Sequence, residues 1–249
     1  MNVRVLPVVA LRGLVMFPGT VMNFEVGRDK TVAAVKSAAE TDGLVFMVSQ
    51  IDEYAEDFRL ENLHKIGVIA KIKQTVKGRD GVVKVVAEGI CRANAVGYQD
   101  IGRYMLADVE KAPVTKEELT EVQSQAYLRN IQALFDEILA LVPRIPKEII
   151  KRVHEAQDPF DLADYIAANV LMSSAEKQQY LDEGSALKRL ELILQLLDKE
   201  CEIVALEIDI NERVQSQVDH NRREFFLREQ LKTIQNELQM EEAYEEEDG

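Results

Sequence analysis

Ile66-Gly-Val-Ile-Ala-Lys-Ile-Lys-Gln-Thr-Val-Lys-Gly-Arg-Asp-Gly-Val-Val-Lys-Val-Val-Ala-Glu-Gly89 carries two extended runs around one turn. Val68, Ala70, Ile72, Gln74 and Val76 alternate with Ile69, Lys71, Lys73 and Thr75, which gives an extended chain one dry face and one wet face. Asp80-Gly81 is a turn dipeptide that tolerates positive φ, and Val82–Glu88 then runs back, so the stretch predicts a β-hairpin. Working outward, Val3–Val9, Leu44–Val48, Ile90–Val96 and Tyr104–Glu110 are further β-branched and apolar runs, and Pro7 marks the first as an edge strand. One helix interrupts them, with Asp29 as N-cap, Val32 and Val35 on one face and Gly43 as the stop signal. Several strands and one early helix predict a small, strongly bent sheet or barrel.

Beyond this region the composition changes. Of the 30 basic and 44 acidic residues, the first 112 positions hold 15 and 14, which leaves 15 and 30 for the remainder. Ten of the twelve glycines also precede Pro113. The fold class is therefore α+β, with a β-rich module over 1–112 and a helical module over 113–184. Thr115-x-x-Glu118 has the form of a capping box, and Leu119, Val122, Tyr127, Ile131, Leu134, Ile138 and Leu141 follow at helical spacing. Pro143 and Pro146 end that helix, and Ile149–His154 forms another. A helix opens at Asp158-Pro159, and Ser173 or Ser174 caps one that runs to Leu181.

From Ser185 to Met240 there is neither glycine nor proline. One helix over 185–240 would be about 80 Å long at 1.5 Å per residue; the alternative is two helices with a bend near Asn211. Leu187, Leu190, Leu194, Leu197, Cys201, Val204 and Ile208 step by three and four and can pack on a neighbour. Between Asn211 and Glu224 only Val214 and Val218 are apolar, after which Leu227, Leu231, Ile234 and Leu238 resume the three-and-four spacing in a different phase. The acidic end, 241–249, reads as a solvated linker.

Several chemistries are excluded by pattern. No Gly-Lys pair exists to form a P-loop, and His64, His154 and His220 are too scattered for a zinc-hydrolase helix. Gly184-Ser185-Ala186 lacks the second glycine of a nucleophile elbow. Lys36 and Ser37 are helix neighbours that point in different directions, and Cys91 and Cys201 have no metal-ligand spacing around them. No catalytic residue and no metal site is expected. The net charge of −14 opposes binding to phosphate backbones. No apolar run is long enough to span a bilayer and the start does not read as a secretory signal, so a cytoplasmic protein with free thiols is expected.

Two apolar features remain. Leu14, Val15, Met16, Phe17, Pro18, Val21, Met22 and Phe24 form a soft, irregular stretch around Pro18-Gly19. Phe225 and Phe226 are neighbours about 100° apart on a helix, so one narrow seam cannot hide both.

Leu6-Pro-Val-Val-Ala-Leu-Arg-Gly-Leu-Val-Met-Phe-Pro-Gly-Thr-Val21, followed by Val26-Gly-Arg-Asp-Lys30, resembles the opening of the N-terminal region of the bacterial Lon proteases. The hairpin from Ile69 to Gly89, Asp158-Pro-x-x-Leu-Ala-Asp164 and Arg222-Arg-Glu-Phe-Phe-Leu-Arg-Glu-Gln-Leu-Lys-Thr-Ile-Gln-Asn-Glu-Leu238 resemble later motifs of that family, in the same order. Ala10 stands where that family usually has proline, Gly13 where an acidic residue is common, and Phe225-Phe226 where two tyrosines are common. The resemblance implies a PUA-like β module, a helical bundle, and a long helix leading to an ATPase module. It implies binding of unfolded, damaged or degron-bearing proteins and assembly with its own subunits, as a hexamer in the full enzyme. That family is also associated with DNA, but the net charge of −14 argues against a nucleic-acid partner for this chain, and no membrane partner is expected. The ATPase and serine–lysine peptidase modules, with their ATP and Mg²⁺, are expected outside this chain, which itself has no cofactor. The candidate substrate-binding residues are Met16, Phe17, Pro18, Met22, Arg28, Asp29, Lys30, Phe225 and Phe226. Leu227, Leu231, Ile234 and Leu238 form a candidate assembly and coupling face. A free-standing protein-binding adaptor of the same fold is the alternative.

Overall fold

The computed structural model describes residues 3–55, 60–78, 81–115, 117–142, 145–170 and 173–247, with the side chains of the last helix described as far as Ile234. The chain divides into two compact units, Met1–Glu200 and Cys201–Gly249. Six strands form the first part of the first unit: β1 (Arg4–Leu11), β2 (Val21–Val26), β3 (Leu44–Ser49), β4 (Ile66–Lys77), β5 (Val83–Asp100) and β6 (Met105–Lys111). They pair in the order β2-β5-β4-β3-β1-β6, and β6 also pairs with β5, so five strands close a ring and β2 flanks it.

Closure depends on the length of β5. Its first part pairs with β4 and β2, and Ala93–Asp100 pairs with β6. Register shifts at Ile69/Ala70, Ile72/Gln74 and Ala95/Gly97 bend the ladder between these partners. The two runs expected as Val82–Glu88 and Ile90–Val96 are thus one strand, because Gly89 continues the ladder opposite Ala70. The expected turn residues Arg79 and Asp80 lie outside the described residues.

Pro7 does not make β1 an edge. Arg4–Pro7 pairs with β6 and Val8–Leu11 with β3, so proline, which has no N–H to donate, sits where the strand exchanges one partner for another. Leu6, Val8, Phe46, Val48, Ile69, Ala93, Met105, Ala107 and Val109 fill the ring. Helix α1 (Asp29–Ala39) covers β1 and β3 with Val32, Val35 and Ala38. Its N-cap is Arg28, whose carbonyl accepts the first helical bond from the Val32 amide, and Asp29 is already helical.

The helical part contains α2 (Glu121–Leu141), α3 (Lys147–His154), α4 (Pro159–Asn169), α5 (Ser174–Asp182) and α6 (Ala186–Glu247). The capping box of α2 is Thr120 with Gln123, five residues later than the expected Thr115 and Glu118. Thr115 is engaged elsewhere: its amide donates to the Gly184 carbonyl and its carbonyl accepts from the Ala186 amide, both at 3.0 Å. Asp158 caps α4, and Ser173 caps α5 in a box with Glu176.

Helix α6 is continuous through Asn211 and extends to Glu247, so residues 241–247 prolong it. Within the first unit its fully buried side chains are Ala186, Leu190, Ile193 and Leu197, while Leu187 and Leu194 are half-buried. Leu192-Ile193-Leu194 and Leu196-Leu197 support two overlapping three-and-four patterns, and packing selects between them. Among the described residues, no helix is long and apolar enough to cross a membrane.

Candidate functional site

Residues 12–20 leave β1 and cross to β2 as a loop that is pinned along its length. Ser49 Oγ donates to the Leu14 carbonyl at 2.8 Å, and Thr20 Oγ1 donates to the Phe17 carbonyl at 2.8 Å. The Gly19 amide donates to the Gly89 carbonyl, and the Gly89 amide to the Thr20 carbonyl, both at 2.9 Å. A side chain at Gly89 would begin 2.1 Å from the Phe17 carbonyl oxygen, so glycine is required for this approach. With its polar backbone groups satisfied, the loop can be buried.

The consequence is a correction. Met16 and Phe17 are each 1% exposed and belong to the core, so neither offers apolar surface to a partner. What remains accessible is Leu14 and Val21, which are exposed, with Pro18 and Met22 half-buried beside them. Strand β2 pairs with β5 alone, leaving its other edge without a described strand.

Past β2, Arg28, Asp29 and Lys30 diverge. Lys30 Nζ meets Asp100 Oδ2 at 2.6 Å on the surface, and this bond holds the Asp100 carboxyl below its usual range. Asp29 is exposed. Arg28 turns inward, where its Nη2 donates to Gln50 Oε1 at 2.7 Å. It borders a cavity of about 280 Å³ together with Arg12, Thr31 and the apolar side chains of Leu11, Leu14, Phe24 and Val26. Burial, and then the neighbouring charge of Arg12, lowers the Arg28 pKa. A second cavity of about 380 Å³ lies between the β and helical parts of the first unit, lined by Gly13, Gln50, Glu53, His64, Ser174, Gln178 and Asp182.

That junction is polar and specific. Arg92, on β5, donates Nη1 to the carbonyls of Leu181 and Glu183 at 3.2 and 2.8 Å. The Tyr180 hydroxyl donates to Asp164 Oδ1 at 2.7 Å, and the ring lies beneath the guanidiniums of Arg92 and Arg189. Gln178 Nε2 donates to the Ile66 carbonyl and to Asp182 Oδ1. Burial, then repulsion from Arg189, lowers the Arg92 pKa against the pull of Asp164. Sequence reasoning singled out none of Arg12, Gln50, Arg92, Gln178 or Tyr180. Each is an ordinary polar residue whose role depends on partners distant in sequence.

In the second unit Phe225 and Phe226 are 67% and 62% exposed, and Leu227, Leu231 and Ile234 are also exposed. Leu238 lies beyond the described side chains. Leu206 precedes Leu227 and Ile234, and Ile203 and Ile210 precede Leu231, by whole heptads, so on a 3.5-residue repeat the two exposed apolar groups share one face. Among the described residues, no three His, Cys, Asp or Glu side chains are grouped to hold a metal ion.

A family model described as the ATP-dependent protease La (LON) substrate-binding domain matches residues 5–199. The chain is 35% identical to the Lon protease of Clostridioides difficile (strain 630) over 240 residues, covering 95% of this chain and 30% of that protein. It is 33% identical to the Lon protease of Heliobacterium modesticaldum over 239 residues, covering 95% of this chain and 29% of that protein. The chain thus spans less than a third of the length of these relatives. In fold it resembles the N-terminal domain of the Mycobacterium avium complex Lon protease, with a TM-score of 0.63 at 24% identity over 78% of this chain and 98% of that one. A Lon N-terminal domain protein from Xanthomonas campestris gives a TM-score of 0.55 at 16% identity, over 77% and 98%.

Proposed function

This chain belongs to the family of ATP-dependent protease La (LON) substrate-binding domains, and we propose that it captures unfolded, damaged or degron-bearing polypeptides for an ATP-dependent serine protease. The family match over residues 5–199 carries this reading. Catalysis would belong to ATPase and peptidase modules, with ATP and Mg²⁺ bound there.

Misfolded proteins have exposed apolar segments in common rather than a sequence, so a general receptor needs apolar area and undemanding hydrogen bonds. Leu14, Val21, Pro18 and Met22 would supply the first, and the edge of β2 that no described strand pairs would supply backbone donors and acceptors to an extended chain. Arg28, Asp29 and Lys30 follow β2 in the chain and would contact the polar groups of a degron. On α6, Phe225 and Phe226 would hold a passing chain by non-directional contact. The heptad face of Leu227, Leu231 and Ile234, continued at Leu238, would pack in the oligomer.

The test is binding of the purified chain to one protein, native and unfolded in parallel. Capture of the unfolded form alone is expected, weakened by the pair Val21→Ser and Met22→Ser without a matching fall in melting temperature. Equal binding of both forms contradicts the proposal.

A further inference from the structure

The cavity beside α1 has an electrostatic imbalance. Arg12 and Arg28 both border it, and among the described residues neither guanidinium lies within ion-pair distance of a carboxylate. Arg12 Nη2 donates to the Ala55 carbonyl at 2.6 Å. The one carboxylate on the cavity wall, Glu25, is largely exposed and pairs with Lys84 at 3.1 Å.

Among the described residues, two buried donors at the contact between Arg28 and Gln50 have no acceptor. Arg28 Nη1, on a residue of the cavity wall, is one; the other is Nε2 of Gln50, a side chain only 5% exposed that holds Arg28 through Oε1 and is not itself among the residues lining this cavity. A buried donor left unsatisfied costs about 1–3 kcal/mol, and more when it is charged. The orphan on the cavity wall, Arg28 Nη1, is a cationic donor, so the group that would satisfy it is an anionic acceptor. Helix α1 also begins at this cavity, and its N-cap makes no side-chain bond to the first-turn amides.

The rest of the wall narrows the class of ligand. Ala10, Leu11, Leu14, Phe24 and Val26 give the cavity an apolar side. An inorganic anion would leave that side empty and its own outer oxygens unpaired. A carboxylate attached to one apolar side chain meets both halves, and about 280 Å³ accommodates one residue rather than several.

We propose that this cavity binds the C-terminal carboxylate of a polypeptide, with Arg28 and Arg12 holding the carboxylate and Leu14, Phe24 and Val26 holding the last side chain. The inference rests on the reading that this region binds polypeptide, and it makes an accessible apolar chain end a recognition element. Either a chain terminus or an internal acidic side chain could bring a carboxylate, and the ligand series separates the two.

The test uses the intact chain and a fluorescent decapeptide ending in leucine. It is offered as the free acid, as the C-terminal amide, and as the amide carrying one internal glutamate, with inorganic phosphate as competitor. The free acid should bind at least about tenfold more tightly than either amide, as loss of a charge-assisted pair requires. Arg28→Gln should abolish that difference and Arg12→Gln should reduce it. Because the acid–amide comparison is made on the unaltered protein, a variant that fails to fold does not decide the outcome. Equal binding of acid and amide overturns the proposal. So does tight binding of the internal-glutamate amide, or phosphate displacing the acid at the affinity with which the acid itself binds. A protein that still captures unfolded substrate while failing this test retains the function proposed above; loss of unfolded-protein capture overturns both.

Discussion

The ring of Phe17 lies 6.1 Å, centroid to centroid, from the ring of Tyr180, tilted at 47°. One residue comes from an irregular loop of the β part and the other from α5, and both are buried. The loop that looked in sequence like a soft binding surface is thus a clasp between the two parts of the first unit.

Phe17→Ala should therefore act on stability. Truncating a buried phenylalanine costs about 3–5 kcal/mol, and the urea midpoint of the intact chain should fall accordingly. Substrate capture should decline only in proportion to the folded fraction. An unchanged midpoint with lost capture would return Phe17 to the binding surface.

Gly89 and Gly19 separate two reasons for glycine. At Gly19 φ is +73° and a Cβ would meet nothing within 4 Å, so Gly19→Ala should cost about 1–2 kcal/mol for backbone strain alone. At Gly89 the added carbon would strike the Phe17 carbonyl, a backbone atom that no side-chain rotation can move. Gly89→Ala should be clearly the more destabilising of the two in urea titrations.

Arg92→Met should cost about 3–5 kcal/mol, as does breaking a buried, hydrogen-bonded charge pair. It strands the Leu181 and Glu183 carbonyls that the guanidinium serves. Arg92→Lys should fail to restore stability, because one ammonium cannot reproduce the guanidinium fork. Recovery by lysine would mean that charge alone matters at this junction.

His64 and Asp182 make the junction sensitive to pH. Burial lowers the His64 pKa against the attraction of Asp182, so the unfolded chain takes up this proton more readily than the folded one. Stability from His64 is complete above about pH 6.5 and is lost as pH falls through the histidine range. Asp182 works in the opposite sense. Burial raises its pKa, so its contribution is present at low pH and lost as pH rises through the folded value, above the ordinary carboxylate range. Urea midpoints between about pH 7.5 and 5.5 should decline, and His64→Gln should flatten the decline. A flat wild-type profile would remove His64 from the account.

Changing Phe225 and Phe226 together to serine should move the stability of the chain by no more than about 0.5 kcal/mol, as expected for exposed positions. In a full-length protease, degradation of an unfolded protein should suffer more than cleavage of a short peptide. A large drop in the melting temperature of the chain would place the two rings in its core.

Much of the local structure could be read directly. The alternation from Val68 to Val76, the Asp158-Pro159 helix start and the Ser173 cap with Glu176 are written within a few residues, because each hydrogen-bond pattern closes over a short span. Misreadings occurred where a distant partner intervened. Thr115 had the spacing of a cap but found Gly184 and Ala186, and the Pro7 strand found two partners in succession. Of the candidate site, the exposure of Phe225 and Phe226 was legible from their adjacency on a helix. The burial of Met16 and Phe17 was not, since nothing in residues 12–20 encodes Gly89 or Tyr180.

By itself, then, the sequence determined the α+β class, with strands first and helices after them, and left the last helix open between one continuous helix and two. Those properties depend on composition, periodicity and motif spacing, all of which are local. Only the tertiary structure decided which apolar residues remain available, and it alone set Arg12 and Arg28 around one cavity with Gln50 bonded to Arg28. Closing the ring through the bent β5 brings together groups tens of residues apart, and the imbalance of charge and hydrogen bonding exists only once water has been excluded from between them.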